Sequence, residues 1–140
     1  MAEYVADTHS LLWYFARPKL LGPGAASAFA QVAAGEASLV VPVVVLAELI
    51  FALESKPLSA DFDLVLSRLQ ASPNVAIADW TLARTLDLRA LQAIPEMHDR
   101  VIVAEALARG AALITRDQAT LAPAVTSAGV TASGLVPVVW

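Results

Sequence analysis

The chain alternates short runs of β-prone apolar residues with longer stretches in which large apolar residues recur at helical spacing. The short runs have the length and the β-branched content that are typical of buried strands. We therefore predict four strands and a last short one, at residues 4–6, 38–41, 75–77, 112–115 and 136–140.

The longer stretches predict helices at residues 9–15, 25–34, 43–53, 60–70, 81–93 and 98–109. Ser59 is placed to cap the fourth helix, and Asp79 or Thr81 to cap the fifth. Gly110 is well placed to end the sixth. Strands that alternate with helices predict an α/β domain with a mainly parallel sheet, in which sites form at the carboxyl ends of strands.

Length and composition limit the protein to a few classes. A chain of 140 residues with 58% hydrophobic content can bury one sizeable core, so we expect a single domain over residues 1–140. The absence of cysteine excludes disulfides and thiolate metal sites and favours the cytoplasm. There is no signal segment at the start, and the most apolar stretch, residues 39–53, is shorter than the roughly 20 residues of a membrane span. We expect no membrane association.

The net charge of −4 argues against a broad basic surface that binds nucleic acid through many phosphate contacts. It argues less against a nuclease, because divalent cations held by acidic side chains can supply the positive charge that meets a phosphate.

Four acidic residues stand out, although three of them have an ordinary structural explanation when taken singly. Asp7 and Asp117 each follow a predicted strand, where an Asp often caps the next helix or turns the chain. Asp99 lies in the first turn of a helix, where the helix dipole favours an acid. Glu48 lies among apolar residues of its helix, so its carboxylate is expected against the core. There it must be paired with a group such as an arginine, protonated or bound to a cation.

Taken together, these four acids could converge on one crevice, where a hard divalent cation would relieve their mutual repulsion. Ligation by oxygen alone suits Mg²⁺ or Mn²⁺. Zinc is disfavoured, because His9 and His98 do not form a zinc-binding spacing.

The segments around these acids resemble the PIN-domain family and, within it, the VapC toxins of toxin–antitoxin pairs. The segments are Val5-Ala6-Asp7-Thr8, Ala47-Glu48-Leu49, His98-Asp99-Arg100 leading into Val101 to Ala104, and Leu113-Ile114-Thr115-Arg116-Asp117. All four occur in the family's order within 140 residues, which makes the resemblance specific.

This resemblance implies a three-layer α/β/α fold, RNA cleavage that depends on Mg²⁺ or Mn²⁺, a homodimer, and inhibition by a VapB-like antitoxin. It places the family's acidic quartet on Asp7, Glu48, Asp99 and Asp117 and its supporting hydroxyl on Thr115, with Thr8 as a second hydroxyl. The stretch Glu96-Met97, just before His98, departs from the family pattern, and whether Glu96 adds a further acid near the metal stays open.

The acid set leads to a hypothesis for the mechanism. Carboxylate-bound Mg²⁺ would polarise the scissile phosphate and activate a water for in-line attack, leaving a 5′-phosphate and a 3′-hydroxyl. Arg100 and Arg116 could contact RNA phosphates, and His98 is expected to cap or pack at a helix start. Part of the apolar cluster at residues 11–15 could meet a second subunit or an antitoxin. The three tryptophans are interpreted as packing residues.

Other classes fit less well. A haloacid-dehalogenase phosphatase needs a second Asp where this chain has His9, and a receiver domain needs a lysine near the acids, whereas Lys19 and Lys56 lie in loop-like segments. A non-catalytic interaction protein that keeps the fold, and a nuclease that acts on DNA, both stay open.

Overall fold

The computed structural model describes residues 1–55, 60–116 and 137–140. Its centre is a five-stranded sheet in the order β3-β2-β1-β4-β5, in which every neighbouring pair is parallel. The strands are β1 (Ala2–Ala6), β2 (Ala37–Pro42), β3 (Val75–Ala78), β4 (Ala112–Ile114) and β5 (Val138–Val139). The α/β class and the parallel sheet predicted from the sequence are confirmed.

Six α-helices connect the strands within the described residues. They are α1 (Thr8–Ala16), α2 (Pro23–Ala33), α3 (Val43–Ser55), α4 (Phe62–Ala71), α5 (Leu82–Asp87) and α6 (Met97–Arg109). Short 3₁₀ helices at Pro18–Leu20 and Leu88–Ala90 follow α1 and α5. None of the helices described is long and apolar enough to cross a membrane.

The core lies on both faces of the sheet. Val40 and Val41 are consecutive in β2 and both buried, and Val5 and Ala6 of β1 behave in the same way. Successive side chains of a strand point to opposite faces, so helices must cover both faces of these central strands. The result is three layers, α/β/α, as in other parallel sheets.

Side-chain caps set where several helices begin. The Asp7 carboxylate accepts the Ser10 N–H at the start of α1, and Thr81 accepts the Arg84 N–H at the start of α5. For α4 the prediction was wrong by two residues, because Asp61 caps the helix by accepting the Asp63 N–H. At its carboxyl end, α6 stops at Gly110, as predicted.

The fifth helix is shorter than predicted. The apolar pattern predicted a helix to residue 93, but α5 ends at Asp87 and a 3₁₀ turn follows. The Arg100 guanidinium donates hydrogen bonds to the carbonyls of Leu88, Gln92 and Ile94. A side chain from α6 therefore holds the segment that follows α5, a tertiary contact that periodicity along the chain does not reveal.

Candidate active site

The carboxyl edge of the sheet brings Asp7 beside the end of β4. Ala6 is in register with Ile114, and the Asp7 N–H donates to the Ile114 carbonyl at 3.2 Å. Asp7 and Thr115 directly follow these two strands, so both lie at the carboxyl edge of the sheet. Thr115 is fully buried, and its N–H donates to the Val139 carbonyl at 3.1 Å.

Asp7 is held in place by the helix that it caps. One carboxylate oxygen accepts the Ser10 N–H at 2.8 Å. The buried Ser10 hydroxyl lies 3.0 Å from the Asp7 carbonyl and 3.1 Å from the Ile114 carbonyl, so it links α1 to both strand ends. Within the described residues the second Asp7 carboxylate oxygen accepts no hydrogen bond, and Asp7 is half-buried. That oxygen is open to a ligand.

Glu48 of α3 reaches the same region, in a more open setting than the sequence predicted. Its side chain is 32% exposed, so the expectation of a carboxylate against the core was wrong. One oxygen accepts the Thr8 hydroxyl at 2.8 Å, and the other lies 3.7 Å from His98 Nδ1. Thr8 and His98 lie in the first turns of α1 and α6, so the starts of two helices place polar groups beside Glu48. No arginine pairs with it in the described part of the chain.

Asp99 enters from the first turn of α6. Its N–H donates to one Glu96 carboxylate oxygen at 2.9 Å, which makes Glu96 the cap of α6. The other Glu96 carboxylate oxygen lies 2.9 Å from His98 Nδ1. Glu96 thus contacts His98, which in turn neighbours Glu48. The prediction that His98 packs at a helix start is confirmed.

The structure brings together the segments that carry three of the four acids predicted from the sequence. Thr8, next to Asp7, contacts Glu48, and His98, next to Asp99, lies beside Glu48. Asp117, the fourth, lies outside the described residues. Among the residues that the structure does describe, no three acidic or histidine side chains form a group that could hold a metal ion. The oxygen donors themselves fit Mg²⁺ or Mn²⁺ in their chemistry.

A comparison with known protein families identifies the family of this chain. The family model of the PIN domain matches residues 4–124, most of the chain. The chain belongs to the PIN-domain family. No curated protein matches it.

Solved structures resemble this PIN domain over nearly its whole length. A chain in the VapBC2 complex from Rickettsia felis, bound to a DNA fragment from its promoter, has a TM-score of 0.63 at 15% identity and covers 99% of both chains. A chain of a toxin–antitoxin complex from Klebsiella pneumoniae has a TM-score of 0.57 at 18% identity and covers 87% of this chain and 91% of that one. At these identities the likeness concerns the fold.

The two arginines near the site of this PIN domain have different environments. The guanidinium of Arg100 is engaged by three backbone carbonyls, the nearest that of Ile94 at 2.6 Å. Arg100 therefore has a structural role, which the sequence did not predict, and its contact with a phosphate stays a prediction. Arg116 is exposed and makes no ion pair with any residue that the structure describes. It stays available for an anion.

A cavity of about 390 Å³ opens beside Asp7, and sequence reasoning missed two of the residues that line it. The residues that line it in the described part of the chain are Asp7, His9, Trp13 and Arg116. The His9 and Trp13 ring centroids are 6.2 Å apart, with an angle of 39° between the planes. Their spacing of four residues places both rings on one face of α1. That spacing, directly after Asp7, is the signal that could have found them.

Proposed function

We propose that this PIN domain is a Mg²⁺-dependent endoribonuclease and the toxin of a VapBC-type toxin–antitoxin pair. One observation supports it above all: Thr8 and His98, which neighbour Asp7 and Asp99 in the chain, both lie beside Glu48. The three acidic residues therefore belong to segments that meet in the fold. The family membership and the VapBC complexes among the structures with this fold agree with it.

In this proposal the residues that would hold the cation are Asp7, Glu48, Asp99 and Asp117. Bound Mg²⁺ would supply a Lewis acid for the scissile phosphate and an activated water. The protein's own contribution is orientation. Ser10 fixes Asp7, the Thr8 hydroxyl fixes one oxygen of Glu48, and Glu96 fixes the backbone at Asp99. The fully buried Thr115 would act as a supporting hydroxyl.

The proposal extends to partners. Several large apolar side chains of the described surface are well exposed, among them Phe51 of α3 and Leu82 of α5, each at 73%. Apolar surface of this kind is suited to protein partners. We assign these partners as a VapB-like antitoxin and a second copy of the chain in a homodimer.

The test is cleavage of a mixed structured RNA by antitoxin-free protein, with Mg²⁺, with EDTA, and by the variant Asp7→Asn. Asn is as good a helix cap as Asp, so this variant removes the charge and keeps the Ser10 contact that starts α1. Asp63→Asn is the matched control, because Asp63 is an exposed acid in the first turn of α4.

We expect cutting that needs Mg²⁺, gives 5′-phosphate ends, persists in Asp63→Asn and falls at least about 100-fold in Asp7→Asn, the loss typical of a charged group acting in the transition state. Full cleavage in EDTA, or cyclic phosphate ends, would contradict the mechanism. Folded protein that binds Mg²⁺ and cuts no RNA would favour a non-catalytic interaction protein. Equal cutting of DNA of the same sequence would make it a general nuclease.

A further inference from the structure

The cavity beside Asp7 combines three chemical features that no step of the proposed hydrolysis uses. Trp13 packs against the core on one side and still lines the cavity, so part of its indole is held rigidly and part is accessible. His9 is exposed and lies on the same face of α1. Arg116 contributes a positive charge from just beyond β4.

An aromatic ring that is fixed by packing and open on one side is the usual platform for an unpaired nucleobase. Bases stack on Trp, Tyr, Phe and His side chains with little sequence preference, because every base has a π face. A volume of about 390 Å³ is within the range of small-molecule sites, about 300–1,000 Å³. An arginine beside such a ring can contact the adjoining phosphate.

The position of the cavity relates it to the acids. Asp7 is both a lining residue of the cavity and a member of the acidic set, so a base held there lies next to the candidate active site. Paired bases of an A-form helix are not accessible to an aromatic side chain in this way. The occupant must therefore come from a single-stranded segment.

We propose that this cavity is a nucleobase subsite, in which an unpaired base of the RNA stacks on Trp13 while Arg116 contacts the adjoining phosphate. The proposal rests on the proposed ribonuclease function and narrows its substrate to RNA that is single-stranded next to the cut. His9 closes the side of the subsite and contacts the edge of the base.

The test uses binding in EDTA, where the RNA stays intact. Short single-stranded oligoribonucleotides of mixed sequence, each with one 2-aminopurine, report stacking through loss of fluorescence. Trp13→Phe keeps an aromatic face, whereas Trp13→Leu keeps apolar packing and removes it. Trp80→Leu is the matched control, because Trp80 is 38% exposed and its ring N–H donates to Thr85, away from the cavity.

We expect wild type, Trp13→Phe and Trp80→Leu to quench the probe, and Trp13→Leu to bind it about 5- to 150-fold more weakly. Arg116→Gln should weaken binding and lower its salt dependence. If Trp13→Leu unfolds, the wild type is compared across oligoribonucleotides that carry 2-aminopurine at different positions. Quenching at one position alone supports the subsite, whereas equal quenching at all positions overturns it.

Other outcomes separate the subsite from the function. If Trp13→Leu binds and quenches like wild type while the wild type still cleaves with Mg²⁺, the subsite is wrong and the ribonuclease stands. If an RNA duplex competes as well as the single strand, the subsite is also wrong. If wild type neither binds nor cleaves any RNA, both proposals fall together.

Discussion

Glu48 lies between two polar groups, one of which fixes the position of a carboxylate oxygen through a hydrogen bond. The Thr8 hydroxyl donates to one at 2.8 Å, and His98 Nδ1 lies 3.7 Å from the other. The sequence identified Glu48 correctly as unusual, because its helix neighbours Val44, Val45 and Leu49 are buried. It could not identify the partners, because Thr8 and His98 are 40 and 50 positions away and only the folded chain brings them near.

The Thr8 hydroxyl gives the first prediction at the residue scale. Thr8→Val keeps the shape of a buried side chain but removes the donor, so Glu48 loses its fixed orientation. We expect RNA cleavage, and Mn²⁺ affinity measured by equilibrium dialysis, to fall about 10- to 100-fold, as for other groups that orient a metal ligand.

Thr8→Ser serves as the control for this prediction, because it retains a hydroxyl at the same position and should retain most activity. Thermal unfolding of both variants separates orientation from folding. If Thr8→Val cleaves RNA and binds Mn²⁺ as well as the wild type does, the hydrogen bond to Glu48 has no part in the function.

Two helices start at acids that also lie in the candidate site. Asp7 caps α1, and Glu96 caps α6 one turn ahead of Asp99. The structural interpretation of Asp7 from the sequence, as a helix cap, is therefore confirmed, while its role as a metal ligand stays a prediction. A cap uses only one carboxylate oxygen, so the two roles are compatible.

At the element scale the periodicity predicted most helices and strands to within a few residues. It failed where a long-range contact intervened. The helix predicted to residue 93 ends at Asp87, and Arg100 holds the segment beyond it through three backbone carbonyls. Local signals succeeded where a single residue decides the geometry, as Gly110 does at the end of α6.

Gly110 supports a prediction about α6 that is independent of the site. Its φ is +61°, and no heavy atom lies within 4 Å of where a Cβ would be, so Gly110→Ala adds backbone strain without a clash. We expect a loss of about 1–2 kcal/mol in the free energy of unfolding, measured by urea denaturation.

Gly110→Asn should cost less, because Asn tolerates the left-handed region at helix ends. RNA cleavage per folded molecule should be unchanged in both variants, since Asp99 lies at the opposite end of α6. An unfolding free energy of Gly110→Ala equal to that of wild type would mean that α6 does not end in this conformation.

At the scale of the whole molecule the strand order explains why distant residues meet. Because β1 lies between β2 and β4, the residues that follow these parallel strands share one edge. The sequence could predict this edge from alternating strands and helices, and with it the place of Asp7. It could not predict the separations among the acids, which depend on helix packing. It also missed the cavity beside Asp7, since neither His9 nor Trp13 was considered as part of a binding site for RNA.

Residues that are remote in sequence also pack together beside the last strand of the sheet. Trp140 follows β5 and packs on the start of α2, where the Gly24 N–H donates to the Trp140 carbonyl at 3.0 Å. A Cβ at Gly22 would lie 2.5 Å from the Trp140 ring and 2.6 Å from its carbonyl carbon. The close approach requires glycine at that position, although its backbone conformation is ordinary.

Gly22→Ala should therefore displace Trp140 and loosen β5, the neighbour of the strand that leads to Thr115. We expect a loss of about 1–3 kcal/mol in the free energy of unfolding, the usual cost of overpacking. A double-mutant cycle with Trp140→Ala measures the share of the ring: the two changes should be less than additive, because the ring contact is removed while the contact with the Trp140 carbonyl carbon stays. Fully additive losses would mean that the Trp140 ring has no part in the cost, and an unchanged unfolding free energy in Gly22→Ala would contradict the packing itself.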